Sequence, residues 1–485
     1  MTRAIMLQGT GSDVGKTVLV AGLCRLAANR GLRVQPFKPQ NMSNNAAVAD
    51  DGGEIGRAQW LQALACRTPA SVHMNPVLLK PESETGSQIV VHGKVWGRAG
   101  ARDYQDTRRH LLEAVFESWD AIRADADIII VEGAGSAAEI NLRGNDIANM
   151  GFATRAGVPV VLVGDIDRGG VIASIVGTHA VLPEEDRRMV AGYLINKFRG
   201  DVSLFDDGVT AISRHTGWPC FGVIPWLPEA GRLPPEDSVV LERLVGAGDG
   251  ALIVAVPVLD RIANFDDLDP LKAEPEVEVR YIKSGDPIPR EAGLVIIPGS
   301  KSTIADLAAF RRNGWDRDLA GHVRRGGHVA GICGGYQMLG RMVRDPDGNE
   351  GAPASVEGLG LLDIETTMEK SKAARNSHAK CRIIDADLTG YEIHLGRTSG
   401  PDCMRPFSTI DGRPDGAVSR DGRVFGTYLH GLFANDAFRQ GYLTRLGLSQ
   451  SGVNYSAMVD EALDSIAARL EKLVSKDFPG FERGD

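Results

Sequence analysis

Short apolar runs alternate with longer segments of mixed polarity through the first 230 residues. Each run has the length of a buried strand, and each longer segment has room for a helix. The runs predict strands at residues 4–7, 34–37, 127–131, 158–163, 192–195 and 220–224. Helices are predicted between them, among others at residues 16–28 and 107–123. This alternation predicts an α/β domain over residues 1–230, with a parallel sheet flanked by helices.

The pattern changes near residue 228, where prolines and glycines replace periodic apolar positions. We therefore predict a linker over residues 231–250. Strand patterns resume at residues 252–258, 277–282, 294–297 and 328–332, which predicts a second α/β domain over residues 251–447. In the last segment, residues 448–485, Leu463, Ile466 and Leu470 recur at helical spacing. That spacing predicts a closing amphipathic helix that packs on the protein and carries no chemistry.

Length and composition narrow the functional classes. A chain of 485 residues exceeds what one hydrophobic core usually supports. The net charge of −9 argues against a nucleic-acid-binding protein, which would carry a basic face. We see neither a signal peptide nor an apolar run of the roughly 20 residues that a membrane span needs. The six cysteines form no CxxC pair, so we expect a cytoplasmic protein without a structural zinc site.

A glycine-rich segment between the first strand and the first helix predicts a nucleotide site. Its residues are Gly9-Thr10-Gly11-Ser12-Asp13-Val14-Gly15-Lys16-Thr17. Backbone N–H groups near Gly11 and Gly15 would surround phosphates at the start of a helix. Lys16 would reach the outer phosphates, and Thr17 would offer its hydroxyl to Mg²⁺. The loop is one residue longer than the common phosphate loop and resembles that of dethiobiotin synthetase and its ligase relatives.

Acidic and basic residues follow the neighbouring strands. Glu132 and Asp165 each end a predicted strand, where parallel sheets gather their ligands, so we predict both as Mg²⁺ ligands beside Thr17. The alternative for either carboxylate is to cap the following helix. Lys38 follows the second strand, and we predict that it neutralises charge on a transferred phosphoryl group.

The second domain contains a pattern typical of a cysteine nucleophile. Cys333 lies between the strand ending at Ile332 and the glycines Gly334 and Gly335, which predicts a sharp strand-to-helix turn. The start of a helix favours the thiolate, the form that attacks a carboxamide. His430, after a strand at residues 423–427, is the predicted base. The N–H groups of Gly334 and of the loop at Gly299 are the predicted oxyanion donors.

This constellation resembles the class I glutamine amidotransferases, which are flavodoxin-like α/β domains. That family usually carries a glutamate two residues after the histidine, and this chain has Leu432 there. Either another acid orients His430, with Glu392 as the candidate, or the site works as a dyad. His394 is a rival for the role of base.

With both halves considered, the whole chain resembles the cobyric acid synthase family of cobalamin biosynthesis. The resemblance rests on blocks spread along the sequence, among them Lys38-Pro39-Gln40-Asn41-Met42-Ser43-Asn44-Asn45, Asn75-Pro76-Val77-Leu78-Leu79-Lys80-Pro81, Asn145-Asp146-Ile147-Ala148-Asn149-Met150, Gly164-Asp165-Ile166-Asp167-Arg168-Gly169-Gly170 and Ile195-Asn196-Lys197-Phe198-Arg199-Gly200. A leucine at position 432 is normal for this family.

The resemblance implies a reaction in which ATP and glutamine amidate the b, d, e and g side chains of adenosylcobyrinic acid a,c-diamide. It also implies a catalytic role for Asp146, at the acyl-phosphate site, and substrate or phosphate contacts for Asn41, Ser43 and Lys80. The cofactors would be ATP and Mg²⁺, with glutamine as nitrogen donor. Cobalt would arrive inside the corrin, so no protein-bound cobalt is expected. The sequence sets no oligomeric state.

Three alternatives share parts of this pattern. Cobyrinic acid a,c-diamide synthase has the same two-part plan but should lack the Asn-Met-Ser-Asn-Asn block, and another glutamine-dependent P-loop amidoligase is the broader form of this alternative. Partition-type P-loop ATPases usually carry an extra lysine early in the loop, where this chain has Thr10. Dethiobiotin synthetase has no glutaminase domain and would have no use for Cys333.

Overall fold

A computed structural model describes residues 2–82, 86–100, 104–236 and 250–481 of the chain. Its contacts divide the chain into two compact units. The N-terminal unit comprises Met1–Ser43, Ala49–Glu236 and Met458–Asp485. The C-terminal unit comprises Asn44–Val48 and Asp237–Ala457. Residues 237–249, most of the predicted linker, lie outside the described residues, and the domain boundaries stay a prediction.

A parallel sheet forms the centre of the N-terminal unit. Its described strands lie in the order Cys220–Pro225, Val190–Phe198, Val160–Asp165, Arg3–Gly9, Ile128–Ser136 and Val34–Phe37. The register pairs Leu7 with Glu132 on one side and Val161 on the other. The middle strands are continuous apolar runs with fully buried side chains, as expected for a sheet covered on both faces. The predicted α/β fold with a parallel sheet is confirmed for this half.

Helices cover this sheet, and a second small sheet lies within the same unit. The helices are Lys16–Asn29, Arg57–Cys66, Tyr104–Ala124, Met150–Ala156, Val171–Val181, Glu184–Arg187 and Asp206–Thr216, with short 3-10 turns at Val72–Met74, Ile140–Asn145, Val202–Phe205 and Pro228–Arg232. The small sheet joins Gln40–Met42, Val77–Pro81, Gly86–Val91 and Lys94–Gly100 in that order, and Glu54–Gly56 is a further short strand.

The helix Tyr455–Leu473 packs on the N-terminal unit, although more than 200 residues of the C-terminal unit precede it in the sequence. A Cβ atom at Gly22 would lie 2.6 Å from side-chain atoms of both Ile466 and Leu470, so the two helices are in close contact there. Arg25, almost fully buried, donates to Asp460 at 2.5 Å. The last helix therefore completes the core around the phosphate-loop helix.

The C-terminal unit has its own sheet of mainly parallel strands. The order is Val277–Ile282, Leu252–Pro257, Leu294–Ile297, His328–Ile332, Val424–Thr427 and Ala417–Val418, and the last strand is antiparallel. Helices Asp269–Lys272, Thr303–Arg312, Trp315–Arg324, Gly334–Met338 and Asp436–Arg445 accompany it, with 3-10 turns at Phe265–Leu268, Pro401–Met404 and Leu432–Ala434. This is the second α/β fold that the sequence predicts.

A long antiparallel hairpin is the element of this unit that the apolar pattern does not predict. It consists of Glu365–Cys381 and Asp387–Ser399, and it is joined by Met342–Asp345, Ala354–Glu357, Ser408–Ile410, Arg413–Asp415 and Leu429–His430. Three further short strands are Ala46–Val48, Ile262–Ala263 and Gly299–Ser300. Buried and exposed positions alternate along parts of the hairpin, but many of its residues are polar or charged.

In the part of the chain that the structure describes, no helix has both the length and the apolar character needed to cross a membrane.

Candidate functional site

The phosphate loop joins the strand Arg3–Gly9 to the helix Lys16–Asn29. Gly15 caps this helix with a φ angle of 93°, which favours glycine, and a Cβ atom there would lie 2.4 Å from Nδ2 of Asn196. The Lys16 ammonium group folds back over the loop and donates to the carbonyl oxygens of Gly11, at 3.3 Å, and Gly135, at 3.1 Å. Phosphate oxygens could replace these carbonyl acceptors.

Acidic and basic side chains meet beside this loop. The Thr17 hydroxyl oxygen lies 2.8 Å from Glu132 Oε1 and 2.5 Å from Glu236 Oε2, and its one hydrogen can be donated to either carboxylate. Lys38 Nζ donates to Glu132 Oε1 at 2.9 Å and to Glu236 Oε1 at 2.5 Å. The Ser43 hydroxyl donates to the backbone oxygen of Glu236 at 3.2 Å. The structure thus brings together Thr17, Lys38 and Glu132 as the sequence predicts, and adds Glu236.

Burial governs the charges of this cluster. Burial lowers the pKa of Lys16, with Glu132 acting against it. Burial alone would lower the pKa of Lys38, but the charges of Glu132 and Glu236 raise it above its ordinary value. Burial alone would raise the pKa of Glu236, but the charge of Lys38 holds it below its ordinary value. Lys38 and Glu236 are therefore both ionised near neutral pH.

The oxygen atoms of this cluster suit Mg²⁺. Hydroxyl and carboxylate oxygens are the ligands that Mg²⁺ prefers, usually with water and phosphate completing the octahedron. Thr17, Glu132 and Glu236 supply such oxygens at one place. Among the described residues, no group of three or more His, Cys, Asp or Glu side chains could hold a metal unaided. The cluster fits an ion that the nucleotide helps to bind, because two carboxylates and a hydroxyl leave positions for phosphate oxygens.

Asp165 ends the strand on the other side of the phosphate-loop strand from Glu132. Its Oδ2 atom accepts from Lys197 Nζ at 2.8 Å, and its Oδ1 atom accepts from the backbone of Asp167 at 2.9 Å. The carboxylate thus serves an ion pair and a turn in this structure. Its predicted role as a ligand beside Thr17 stays a prediction.

Asp146 precedes the helix Met150–Ala156. Its carboxylate accepts from the backbone N–H groups of Ala148 and Asn149, both at 2.8 Å, and of Gly151 at 2.7 Å. These bonds satisfy N–H groups at and just before the start of the helix, which is a capping function. The structure gives Asp146 this structural function, and its catalytic role stays a prediction.

Lys80 and Asn41, two residues predicted to contact the substrate, form hydrogen bonds within the N-terminal unit. Lys80 is buried, and its Nζ atom donates to Glu54 Oε2, also buried, at 2.7 Å. Asn41 Nδ2 donates to Gln59 Oε1 at 3.0 Å, and both side chains are buried. These contacts stabilise the folded unit, and contacts of Asn41 and Lys80 with a substrate stay predictions.

In the C-terminal unit, Cys333 lies between the strand His328–Ile332 and the helix Gly334–Met338. Its φ angle is 52° and its ψ angle −108°, a strained backbone conformation for a residue with a side chain. A Cβ atom at Gly335 would lie 2.0 Å from the carbonyl oxygen of Ile297, so only glycine allows the helix to start here. Such strain is typical of a nucleophile at a strand-to-helix turn.

His430 lies beside this cysteine and is held by a carboxylate. Its Nδ1 atom is 2.7 Å from Asp267 Oδ2, and both side chains are buried. The other oxygen of Asp267 accepts from the backbone of Gly431 at 2.6 Å. The Cys333 thiol donates to the carbonyl oxygen of Ile393 at 3.4 Å and also interacts with His430. The structure therefore assembles the predicted cysteine and histidine and adds an acid.

The predicted oxyanion donors lie at the same place. A Cβ atom at Gly299 would lie 3.4 Å from Cε1 of His430, and one at Gly334 would lie 2.8 Å from the backbone nitrogen of Ser300. The segment Gly299–Ser300 and the turn after Cys333 are thus in close contact. That their N–H groups converge on an oxyanion at Cys333 stays a prediction.

Glu392, the acid that the sequence analysis proposed as the partner of His430, contacts other residues in the structure. Glu392 Oε2 accepts from Arg375 at 2.6 Å and from Ser377 at 3.1 Å, while Oε1 is 3.6 Å from His394 Nε2. Burial would raise the pKa of Glu392, but its bonds to His394 and Arg375 hold it well below the ordinary range. The expectation that Glu392 orients His430 is therefore wrong in this structure. His394, whose Nδ1 atom is 2.9 Å from the backbone oxygen of Gly396, is paired with Glu392.

Two residues of these sites carried no recognisable sequence signal. Glu236 belongs to the predicted linker, after two prolines. Asp267 lies in Asn264-Phe265-Asp266-Asp267-Leu268, which has no fixed spacing to His430. In the sequence, Glu236 is an acid in a turn-rich segment and Asp267 an acid beside an aromatic residue. Neither setting distinguishes a site residue from an acid on the surface.

Comparison with known proteins gives matches to both units. Residues 5–240 match the CobQ/CobB/MinD/ParA nucleotide binding domain, and residues 253–438 match the CobB/CobQ-like glutamine amidotransferase domain. The chain is 71% identical to a cobyric acid synthase of Rhizobium johnstonii over 472 residues, 97% of each chain. It is 70% identical to one of Sinorhizobium fredii, over 97% of each chain, and 68% identical to one of Rhizobium meliloti, over 99% of each chain.

Proposed function

Because the chain belongs to the cobyric acid synthase family and is therefore a ligase, we propose that it converts adenosylcobyrinic acid a,c-diamide to adenosylcobyric acid. In this proposal it amidates the b, d, e and g carboxylates with ATP and glutamine. The observation that carries the proposal is 71% identity over 97% of both chains, since such identity extends over both units. The relatives named above are all cobyric acid synthases, which favours this reaction over those of cobyrinic acid a,c-diamide synthase, a partition-type ATPase and dethiobiotin synthetase.

The C-terminal unit supplies ammonia. The Cys333 thiolate attacks the carboxamide carbon of glutamine, and the carbon–nitrogen bond breaks to release ammonia and leave a glutamyl thioester. His430 donates the proton that the leaving nitrogen needs and then helps water to hydrolyse the thioester to glutamate. The N–H groups of Gly299 and Gly334 stabilise the negative oxygen of each tetrahedral intermediate.

The N-terminal unit activates the acid. The phosphate loop holds ATP, and Lys16 contacts the outer phosphates. An oxygen of the corrinoid carboxylate attacks the γ-phosphorus, ADP leaves, and an acyl phosphate results. Lys38, held between Glu132 and Glu236, offers positive charge to the phosphoryl group in flight. Ammonia then displaces phosphate from the acyl carbon and forms the amide.

Thr17, Glu132 and Glu236 would hold Mg²⁺, which would neutralise charge on the ATP phosphates when bound. Gln62 Nε2 donates to Glu132 Oε2 at 2.5 Å and fixes the orientation of that carboxylate. We propose no protein ligand to cobalt, because the metal arrives within the corrin.

Mass spectrometry of the corrinoid tests the proposal. The purified protein is incubated with adenosylcobyrinic acid a,c-diamide, ATP, Mg²⁺ and glutamine, and the replacements of OH by NH₂ are counted. Four replacements are expected, with one ADP and one glutamate formed for each. If the a,c-diamide stayed unchanged while cobyrinic acid, supplied in a parallel incubation, gained amides at positions a and c alone, the diamide synthase would be favoured. ADP release without any amidation would overturn the ligase assignment.

A further inference from the structure

The glutaminase histidine lacks the acid that its sequence position usually provides. Leu432, two residues after His430, is fully buried in the core of the C-terminal unit and offers no carboxylate. A lone imidazole has two tautomers, and only the one with its proton on Nδ1 leaves Nε2 free to exchange a proton with the substrate side. A group that selects this tautomer would therefore favour the reaction.

We propose that Asp267 is the positioning residue of His430: it orients the imidazole, keeps a proton on Nδ1 and takes the place of the glutamate absent at position 432. This inference rests on the proposed glutaminase step and adds a residue to it. The contact that carries it is the 2.7 Å distance between Nδ1 of His430 and Oδ2 of Asp267. Their side chains are 1% and 3% exposed, so little water competes for this bond.

Asp267 is itself fixed. Its second oxygen, Oδ1, accepts from the backbone N–H of Gly431 at 2.6 Å, so the carboxylate bridges the side chain of His430 and the next peptide group. A carboxylate with both oxygens engaged has little freedom to rotate. The position of the imidazole is thereby tied to the backbone that carries it.

The ring face of His430 is fixed by the same short segment. Tyr391 stacks on His430 with ring centroids 5.1 Å apart and an angle of 13° between the planes. Asn264 Nδ2 donates to the hydroxyl of Tyr391 at 2.8 Å, and Asn264 lies three residues before Asp267. The turn Phe265–Leu268 and its preceding residue thus hold the imidazole at its edge and, through Tyr391, at its face.

The charges that face His430 agree with this role. Asp267, Cys333 and Tyr391 are the titratable side chains seen in contact with it. Burial alone would lower the pKa of His430, but Asp267 and the interaction with Cys333 raise it to about 10. An imidazolium beside the cysteine favours the thiolate, which is the attacking form.

The substitution Asp267→Asn tests the inference. An asparagine amide in place of the carboxylate donates to Nδ1 and selects the wrong tautomer, while the shape of the site is kept. We expect kcat for glutamine-driven amidation to fall about 10²- to 10⁴-fold with little change in KM for glutamine. We also expect the alkaline limb of the pH profile to move to lower pH, because His430 loses the charge that holds its proton. Ammonia-driven amidation should be unchanged.

Asp269→Asn is the matched control, because it removes the same charge two residues away. Asp269 pairs with Lys272 at 2.7 Å and makes no described contact with His430. We expect this variant to keep the wild-type kcat and pH profile. An Asp267→Asn protein with normal glutamine kcat and an unmoved alkaline limb would overturn the positioning role. By contrast, normal glutamine use by Cys333→Ala would overturn the proposed glutaminase step itself.

A measurement on the wild-type protein covers the case in which Asp267→Asn does not fold. With ¹⁵N-labelled histidine, the proton on Nδ1 of His430 should give a strongly downfield NMR resonance, as a hydrogen bond to a buried carboxylate requires. Its assignment comes from its loss in His430→Gln. Absence of such a resonance from the wild-type spectrum would overturn the inference.

Discussion

Lys38 Nζ donates to Glu236 Oε1 at 2.5 Å, although 198 residues separate the two along the chain. The same ammonium group also bonds Glu132, which lies within the strand Ile128–Ser136 of the central sheet. Glu236 therefore belongs to the charged cluster beside the phosphate loop, even though the sequence assigns it to a linker. The predicted linker, residues 231–250, thus includes a carboxylate that contacts Thr17 and Lys38.

Glu236→Gln should impair the ATP step. The variant loses the charge that pairs with Lys38 and a carboxylate oxygen available to Mg²⁺. Because a hydrogen bond to a charged group contributes about 1.5–3 kcal/mol, we expect kcat/KM for Mg·ATP to fall about 10- to 100-fold with either nitrogen source. Steady-state ADP release at varied Mg·ATP measures this. Glu229→Gln is the control, since Glu229 pairs with Arg469 at 2.8 Å away from this cluster, and it should keep the wild-type value.

Lys16→Ala should abolish ATP-dependent amidation whether glutamine or ammonia supplies the nitrogen. The ammonium group lies over the loop, bonded to the carbonyl oxygens of Gly11 and Gly135, and no other described contact puts a cation on those atoms. Corrinoid amide formation and ADP release are followed together. Full activity of this variant with either nitrogen source would refute the ATP site.

Cys333→Ala should abolish glutamine-driven turnover and leave ammonia-driven turnover largely intact. The thiol is the nucleophile of the proposed step, and its removal leaves the N-terminal unit untouched. Glutamate release and amide formation are measured with each nitrogen source. If the variant still used glutamine at the normal rate, another residue would have to be the nucleophile.

Asp146→Ala and Asp146→Asn separate two roles of one carboxylate. If Asp146 acts by capping, the alanine variant leaves three backbone N–H groups without their acceptor and should be destabilised by about 1–3 kcal/mol, while asparagine keeps part of the cap. In that case kcat of the asparagine variant stays close to that of the wild type. Denaturant unfolding and ammonia-driven kcat are compared for both variants. A fall in kcat of the stable asparagine variant by more than about 100-fold would instead support the catalytic role.

The raised pKa of His430 predicts how stability depends on pH. The folded-state pKa of about 10 lies above the ordinary value of 6.5. The stabilisation from the protonated imidazole is therefore fully present below pH 6.5 and is lost as pH rises towards 10. The melting temperature of the wild-type protein should exceed that of His430→Gln most at or below pH 6.5, and the difference should shrink towards pH 10. A difference that grows with pH would contradict the ion pair with Asp267.

Local sequence patterns were sufficient to predict the phosphate loop and the turn at Cys333. The phosphate loop and the turn at Cys333 are each contiguous, because a strand, a glycine turn and a helix follow one another in the chain. Asp267 is different: it reaches His430 across 163 residues, and the chain has 63 acidic residues from which to choose. The prediction for Glu392 failed because closeness in sequence to a histidine pointed to His394, with which it does pair.

The long hairpin was missed for a related reason. Its strands, Glu365–Cys381 and Asp387–Ser399, carry charged residues on their exposed positions and only short apolar stretches. Much of their stabilisation comes from pairing with each other across many residues, which a single-strand pattern does not report.

The helix Tyr455–Leu473 packs against the phosphate-loop helix at Gly22. The core of the N-terminal unit is therefore complete only when this helix is in place. During synthesis, the ribosome makes the glutamine amidotransferase domain, residues 253–438, before it makes the helix that completes the nucleotide-binding unit. If the chain were expressed as two fragments divided within residues 237–249, the N-terminal fragment would need residues 458–485 to complete its unit. Substitutions in this helix should accordingly weaken nucleotide binding before they affect the amidotransferase domain.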